Sequence, residues 1–165
     1  MRKRQLFTLP IFSRLTEEQQ GLLIPLITLC HIPGTSFLFK QGEPAKNLYI
    51  IESGTIEILF KPFDGPDLSV SRISRGGVFG WSSTLGRDSY TSTARTLGVS
   101  EIYRFNCLEL QTMCKQDPDT GVIILDRLAS AIVERPEGTH YEIMSILNQG
   151  MELGFALSNQ GRKND

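Results

Sequence analysis

Seven short runs rich in β-branched and aromatic residues, separated by glycine- or proline-bearing breaks, fill the chain between residues 27 and 105. The runs are Ile27 to Ile32, Ser36 to Lys40, Leu48 to Glu52, Thr55 to Phe60, Leu68 to Ile73, Tyr90 to Thr96 and Ser100 to Phe105. The breaks are Pro33-Gly34, Gly42, Ser53-Gly54, Asp64-Gly65-Pro66, Gly76-Gly77 and Leu85-Gly86. Such residues fit a pleated chain, and the breaks supply the backbone angles that reversals require. Strands this short and this regularly spaced bury their apolar faces by closing on one another, which predicts a compact antiparallel barrel or roll of seven or eight strands.

Helical patterns flank the strands, so the expected class is mainly β with helices at both ends. Over residues 5–26, Thr16 precedes Glu17 and Glu18, an N-cap with acids in the first turn, and Leu22, Leu23 and Leu26 follow as an apolar face. Beyond Asn106, the residues Leu108, Leu110, Met113 and Cys114 suit a short helix that stops near Asp117-Pro118. Asp119 or Thr120 is expected to cap the next helix, through Ile123, Ile124, Leu128, Ala131 and Ile132, with Pro136 and Gly138 ending or kinking it. Tyr141 to Leu147 suggests a further turn or two. The expected division is an N-terminal helical segment (1–26), the roll (27–105), C-terminal helices (106–149) and a polar tail (150–165), all one domain. A chain of 165 residues is long enough for one hydrophobic core of this kind.

Charge and composition narrow the function classes. The formal net charge is -1, with basic clusters only at Met1 to Arg4 and Arg162-Lys163, which argues against direct DNA binding. No stretch reaches the roughly 18 uninterrupted apolar residues of a membrane span, and Leu6 to Phe12 is too short and broken for a signal-peptide core, so a cytoplasmic protein is expected. Cys30, Cys107 and Cys114 have no metal-ligand spacing, and His31 and His140 lie far apart. The chain is expected to need no metal or cofactor and not to be an enzyme.

Leu38 to Gly54 reads Leu-Phe-Lys-Gln-Gly-Glu-Pro-Ala-Lys-Asn-Leu-Tyr-Ile-Ile-Glu-Ser-Gly. A strand ends at Gln41, Gly42-Glu43 turns the chain, Ala45 precedes the apolar strand Leu48 to Ile51, and Gly54 turns into Thr55 to Ile58. Any β-roll could use glycines in this way. In order and spacing, however, the segment resembles the first signature of the cyclic-nucleotide-binding domain family. Downstream, Gly77-Val78-Phe79-Gly80 followed by Tyr90-Thr91-Ser92-Thr93-Ala94 resembles that family's phosphate-binding cassette, here at 77–96. The resemblance covers residues 6–140 and implies the family's β-roll, with a regulatory, ligand-sensing role.

The departures fall on the chemistry. The resemblance implies a glutamate after the cassette glycine, for the ribose 2′-hydroxyl, and an arginine before a small hydroxyl residue, for the cyclic phosphate. Here Gly80 is followed by Trp81, and the later pair is Tyr90-Thr91. Losing two charge-assisted contacts costs on the order of 3–6 kcal/mol, about 10²- to 10⁴-fold in affinity, which argues against tight binding of cyclic AMP or cyclic GMP.

The candidate ligand site is therefore an altered cassette: Gly80, Trp81, Ser82, Ser83, Thr84, Arg87, Tyr90, Thr91 and Ser92. Backbone amides and hydroxyls around Gly80 to Thr84 could cradle an anion. Arg87 is either a replacement cation or a solvated turn residue beside Asp88. Arg95 lies an odd number of residues from Tyr90, so on one regular strand the two would point to opposite faces. Trp81 and Tyr90 either line a pocket for a flatter, nucleotide-like small molecule or fill the space that the nucleotide would occupy. Three functions follow: a ligand-sensing regulatory domain, a ligand-free structural or protein-interaction module, or the sensor part of a transcription regulator without its helix-turn-helix, for which about 25 residues after Thr139 are too few. The stripe Ile124, Leu128, Ala131 and Ile132 is the expected homodimer face, unless it packs on its own barrel.

Overall fold

The computed structural model describes residues 2–82, 84 and 86–133. Eight strands form two four-stranded antiparallel sheets: β1 (Ile27–Ile32), β2 (Phe37–Phe39), β3 (Asn47–Ser53), β4 (Ile56–Phe60), β5 (Leu68–Ile73), β6 (Val78–Phe79), β7 (Thr93–Thr96) and β8 (Ser100–Asn106). One sheet has the order β1-β8-β3-β6 and the other β2-β7-β4-β5, the antiparallel β-roll expected. Strand β6, which is not among the seven runs, has two residues, too few to show a period of their own.

The first sheet is covered on both faces, which explains why β3 reads as a continuous apolar run instead of an alternating one. Tyr49 and Ile51 point into the roll, where they meet Phe39, Ile56, Ile58, Phe79 and Ile102. Leu48 and Ile50 point the other way, against Leu6, Phe12, Leu23, Tyr103, Phe105, Ile124 and Leu128 of a second core beneath the helices.

The helical parts build that second core. Thr16 caps α1 (Glu17–Leu23) with a reciprocal box: its hydroxyl accepts the Gln19 N–H at 3.2 Å, and the Gln19 side-chain oxygen accepts the Thr16 N–H at 3.0 Å. Upstream, the chain is 3-10 helix (Arg2–Thr8 and Pro10–Phe12). Leu6, Leu9, Phe12 and Leu15 recur every third residue and all are buried, Leu6 and Phe12 on the two 3-10 segments, Leu9 between them and Leu15 just after. Asn106 caps α2 (Cys107–Gln116) through its side-chain oxygen, which accepts the N–H groups of Leu108 and Glu109.

Helix α3 (Pro118–Val133) starts earlier than expected. Asp117, not Asp119 or Thr120, is its cap: a carboxylate oxygen accepts the Thr120 N–H at 3.0 Å, and Pro118, with no N–H to satisfy, takes the first helical position. The Arg127 guanidinium of α3 donates to the carbonyls of Ile11 and Ser13, which ties this helix to the N-terminal segment. Pro136, Gly138, His140, the turns expected at Tyr141 to Leu147 and the 150–165 tail lie outside the described residues.

Candidate functional site

The second half of the cassette is not built as one strand. The run expected over Tyr90 to Thr96 pairs as a strand only from Thr93. Tyr90 is held instead by the turn after β2: its N–H donates to the Glu43 carbonyl at 2.9 Å, and its carbonyl accepts the Gly42 N–H at 2.8 Å. That anchoring aims the side chain inward.

Tyr90 is buried among the residues of the roll core. Its ring stacks on Phe39 with centroids 3.7 Å apart and planes at 15°. The phenol donates to the Asn47 carbonyl at 2.8 Å and accepts the Asn47 N–H at 3.1 Å, so both ends of the side chain are engaged. Burial pushes the phenol well above the usual tyrosine range, and it stays protonated. Tyr49 and Phe79 extend the same aromatic stack, 5.1 Å apart and 13° from parallel.

Gly80 closes the other side. Its φ is +72°, and a Cβ there would lie 2.9 Å from the Tyr49 ring, 3.1 Å from the Asn47 carbonyl oxygen and 3.2 Å from the Phe39 ring. Glycine lets the cassette press directly on the aromatic stack. Trp81 then turns toward the helices and packs partly buried against their core. The Trp81 carbonyl accepts both the Thr84 N–H at 3.1 Å and the Thr84 hydroxyl at 2.5 Å, and the Arg87 N–H donates to the Ser82 carbonyl at 3.1 Å.

What remains between these groups is a void of about 30 Å³. It has room for one or two waters, whereas small-molecule pockets typically measure about 300–1,000 Å³. Gly80, Trp81, Ser82, Tyr90, Thr91 and Ser92 all border it, beside Phe39, Ile58 and Phe79, and none of these side chains is charged. Thr84 does not border it, because its hydroxyl is turned back on Trp81. Arg87 is exposed, also away from the void. Ser83 lies outside the described residues. Arg95 faces away from the roll interior and donates through Nε to Glu57 at 2.7 Å. Phe39 and Asn47, the residues that hold Tyr90, are absent from the sequence-derived set. The available signal was aromatic: Phe39, Tyr49 and Phe79 all stand in short runs that must face one core.

The expected dimer stripe needs correction. Ile124 and Leu128 are buried in the helix-side core, and Ala131 packs partly against it. The Ile132 side chain lies outside the described residues; among the described side chains, the large apolar ones that α3 leaves outside are Val122, 68% exposed, and Leu125, 48% exposed. Among the described residues, no helix is long and apolar enough to cross a membrane.

Residues 29–117 match the family model of the cyclic nucleotide-binding domain. The chain is 29% identical over 126 residues to the neuropathy target esterase sws of Drosophila persimilis, a match that takes in 72% of this chain and 8% of that protein. It is 27% identical over 118 residues to the cAMP-activated global transcriptional regulator CRP of Salmonella typhimurium, covering 69% of this chain and 54% of the regulator. In fold it is similar to a cyclic nucleotide-binding domain from Methylobacillus flagellatus KT, with a TM-score of 0.72 at 15% identity over 86% of this chain and 80% of that one. The chain therefore spans about half of one curated relative and a small part of the other.

Proposed function

Because the chain belongs to the cyclic nucleotide-binding domain family, we propose that it is a regulatory domain whose binding pocket is filled by its own Tyr90, and that it does not bind cyclic AMP or cyclic GMP tightly. The observation that carries this reading is the Tyr90 side chain, stacked on Phe39 and bonded twice to Asn47.

Two costs oppose a cyclic nucleotide. The charged contacts at positions 81 and 90 are missing. The ligand must also displace the tyrosine, breaking one aromatic stack and two hydrogen bonds, about 2–4 kcal/mol or roughly 30- to 1,000-fold in affinity. The small size of the void favours the ligand-free reading over sensing of a nucleotide-like small molecule: tyrosine supplies internally what a ligand supplies elsewhere, and the domain works through contacts with other protein surfaces.

The same proposal makes the domain non-catalytic and cytoplasmic, with no DNA contact of its own. Self-association through α3 is retained with its face moved to Val122 and Leu125. The esterase and transcriptional activities of the relatives are not carried over.

Restoring the charges tests this reading. The double variant with Trp81→Glu and Tyr90→Arg removes the plug and supplies both missing groups. It should bind a cyclic nucleotide about 10- to 100-fold more tightly than the parent, the gain being limited by desolvation of the new charges. Trp81→Glu alone, with Tyr90 still in place, should gain little, whereas Tyr90→Arg alone, which removes the plug and supplies one charge, should gain part of the effect. A well-folded double variant that still ignores both nucleotides, by calorimetry, would count against a latent site at Gly80 to Ser92.

A further inference from the structure

The outer face of the β2-β7-β4-β5 sheet carries a row of residues, one from each strand. Register places Phe37 opposite Arg95, Arg95 opposite Glu57 and Glu57 opposite Arg72. From β2 to β5 the row reads aromatic, cation, anion, cation. Its neighbours in sequence, Ile56 and Ile58, fill the roll interior, so Glu57 points outward, yet it is only 3% exposed.

The arginines and a serine hold it there. Arg95 places Nε 2.7 Å and Nη2 2.6 Å from one carboxylate oxygen, while the Ser69 hydroxyl donates to the other at 2.7 Å and Arg72 Nη2 lies 3.6 Å from it. One cation would neutralise one carboxylate. Here there are two, and both remain accessible: the Arg95 side chain is 37% exposed and that of Arg72 66%. Beside them Phe37 is 52% exposed, with the Lys40 ammonium 5.1 Å from its ring centre. The row is locally positive in a chain whose net charge is -1.

We propose that this row is a docking surface for an acidic protein segment that also presents an apolar side chain. Carboxylates of the partner would meet the outward edges of Arg95 and Arg72, and the apolar group would lie on Phe37. Glu57 already fixes the Arg95 guanidinium through two of its nitrogens, so that side chain loses little freedom on binding. Arginine and aromatic anchors side by side are the usual centre of a protein interface. An anionic membrane is the poorer fit, because membranes select clusters of about four to eight basic residues, whereas this row sets two arginines around a buried anion, with Lys40 beside Phe37. The proposal does not depend on what fills the pocket.

The full chain should bind a fluorescein-labelled peptide of alternating glutamate and leucine, more weakly as salt is raised, and should not bind the same peptide with lysine for glutamate. Arg72→Glu and Phe37→Ala should each weaken the interaction about tenfold or more. Lys40→Glu, an exposed change that leaves the Glu57 contacts in place, should also weaken it and carries the test if Arg72→Glu disturbs folding. Equal binding of both peptides, indifference to all three substitutions, or binding to phosphatidylserine vesicles without binding to the acidic peptide would each overturn the proposal.

Discussion

Replacing Tyr90 with alanine should destabilise the domain by about 3–5 kcal/mol, the range for emptying a buried aromatic position. The ring touches Phe39 at van der Waals distance, and its removal also leaves the Asn47 N–H and carbonyl without their partner. Tyr90→Phe separates the two contributions. It keeps the stack and loses only the hydrogen bonds, so it should cost about 1–3 kcal/mol, since the half-buried Asn47 N–H and carbonyl lose their partner. Urea unfolding of the three proteins provides the comparison, read from the midpoint at unchanged slope. If alanine and phenylalanine are equally mild, below about 1 kcal/mol, the ring is a loose cover and not part of the core.

Gly54 should be far less replaceable than Gly42, another glycine of the turn set. Its φ is +95°, and an added Cβ would come within 2.2 Å of Ser100 Oγ and 2.9 Å of the Ser100 Cα. Ser100 is fully buried and opens β8, so it has no free direction in which to move. Gly42 offers the control, with a similar φ of +88° and nothing within 4 Å. Gly42→Ala should cost only the left-handed backbone strain, about 1–2 kcal/mol. Gly54→Ala should cost about 3 kcal/mol or more, because overpacking adds to the strain. Equal thermal midpoints for the two variants would show that the β3–β4 turn shifts freely and that its glycine is needed only for φ.

The strands were legible because their boundaries are chemical. Turn residues stand at nearly every reversal, and β-branched or aromatic residues fill the spaces between. The Thr16 cap was legible for the same reason, being a local pattern of three or four residues. What escaped were features decided at a distance. The substitutions at 81 and 90 reveal a loss of charge, but whether a void remains depends on Phe39 and Asn47, which lie more than 40 positions from Tyr90 in the chain. By pattern Tyr90 belongs to a strand, because Thr91 to Thr96 continue the β-favouring run. Its true partner is the Gly42-Glu43 turn, which no periodicity exposes. Tyr90 and Arg95 do face opposite ways, but not as members of one strand: separate anchors hold them, Asn47 inside and Glu57 outside. Helix α3 presents apolar residues on more than one side, and periodicity alone does not tell which side the barrel covers. The helix-side core took Ile124 and Leu128, leaving Val122 and Leu125 outside.

Calorimetric titration of the unaltered chain with cyclic AMP, and separately with cyclic GMP, probes the self-filled pocket most directly. With the two charged contacts gone and Tyr90 in place, both dissociation constants should be weaker than about 10⁻⁴ M. A submicromolar value for either nucleotide would contradict it, since Tyr90 would then have to leave Phe39 and Asn47 at little cost and some other group would have to hold the phosphate.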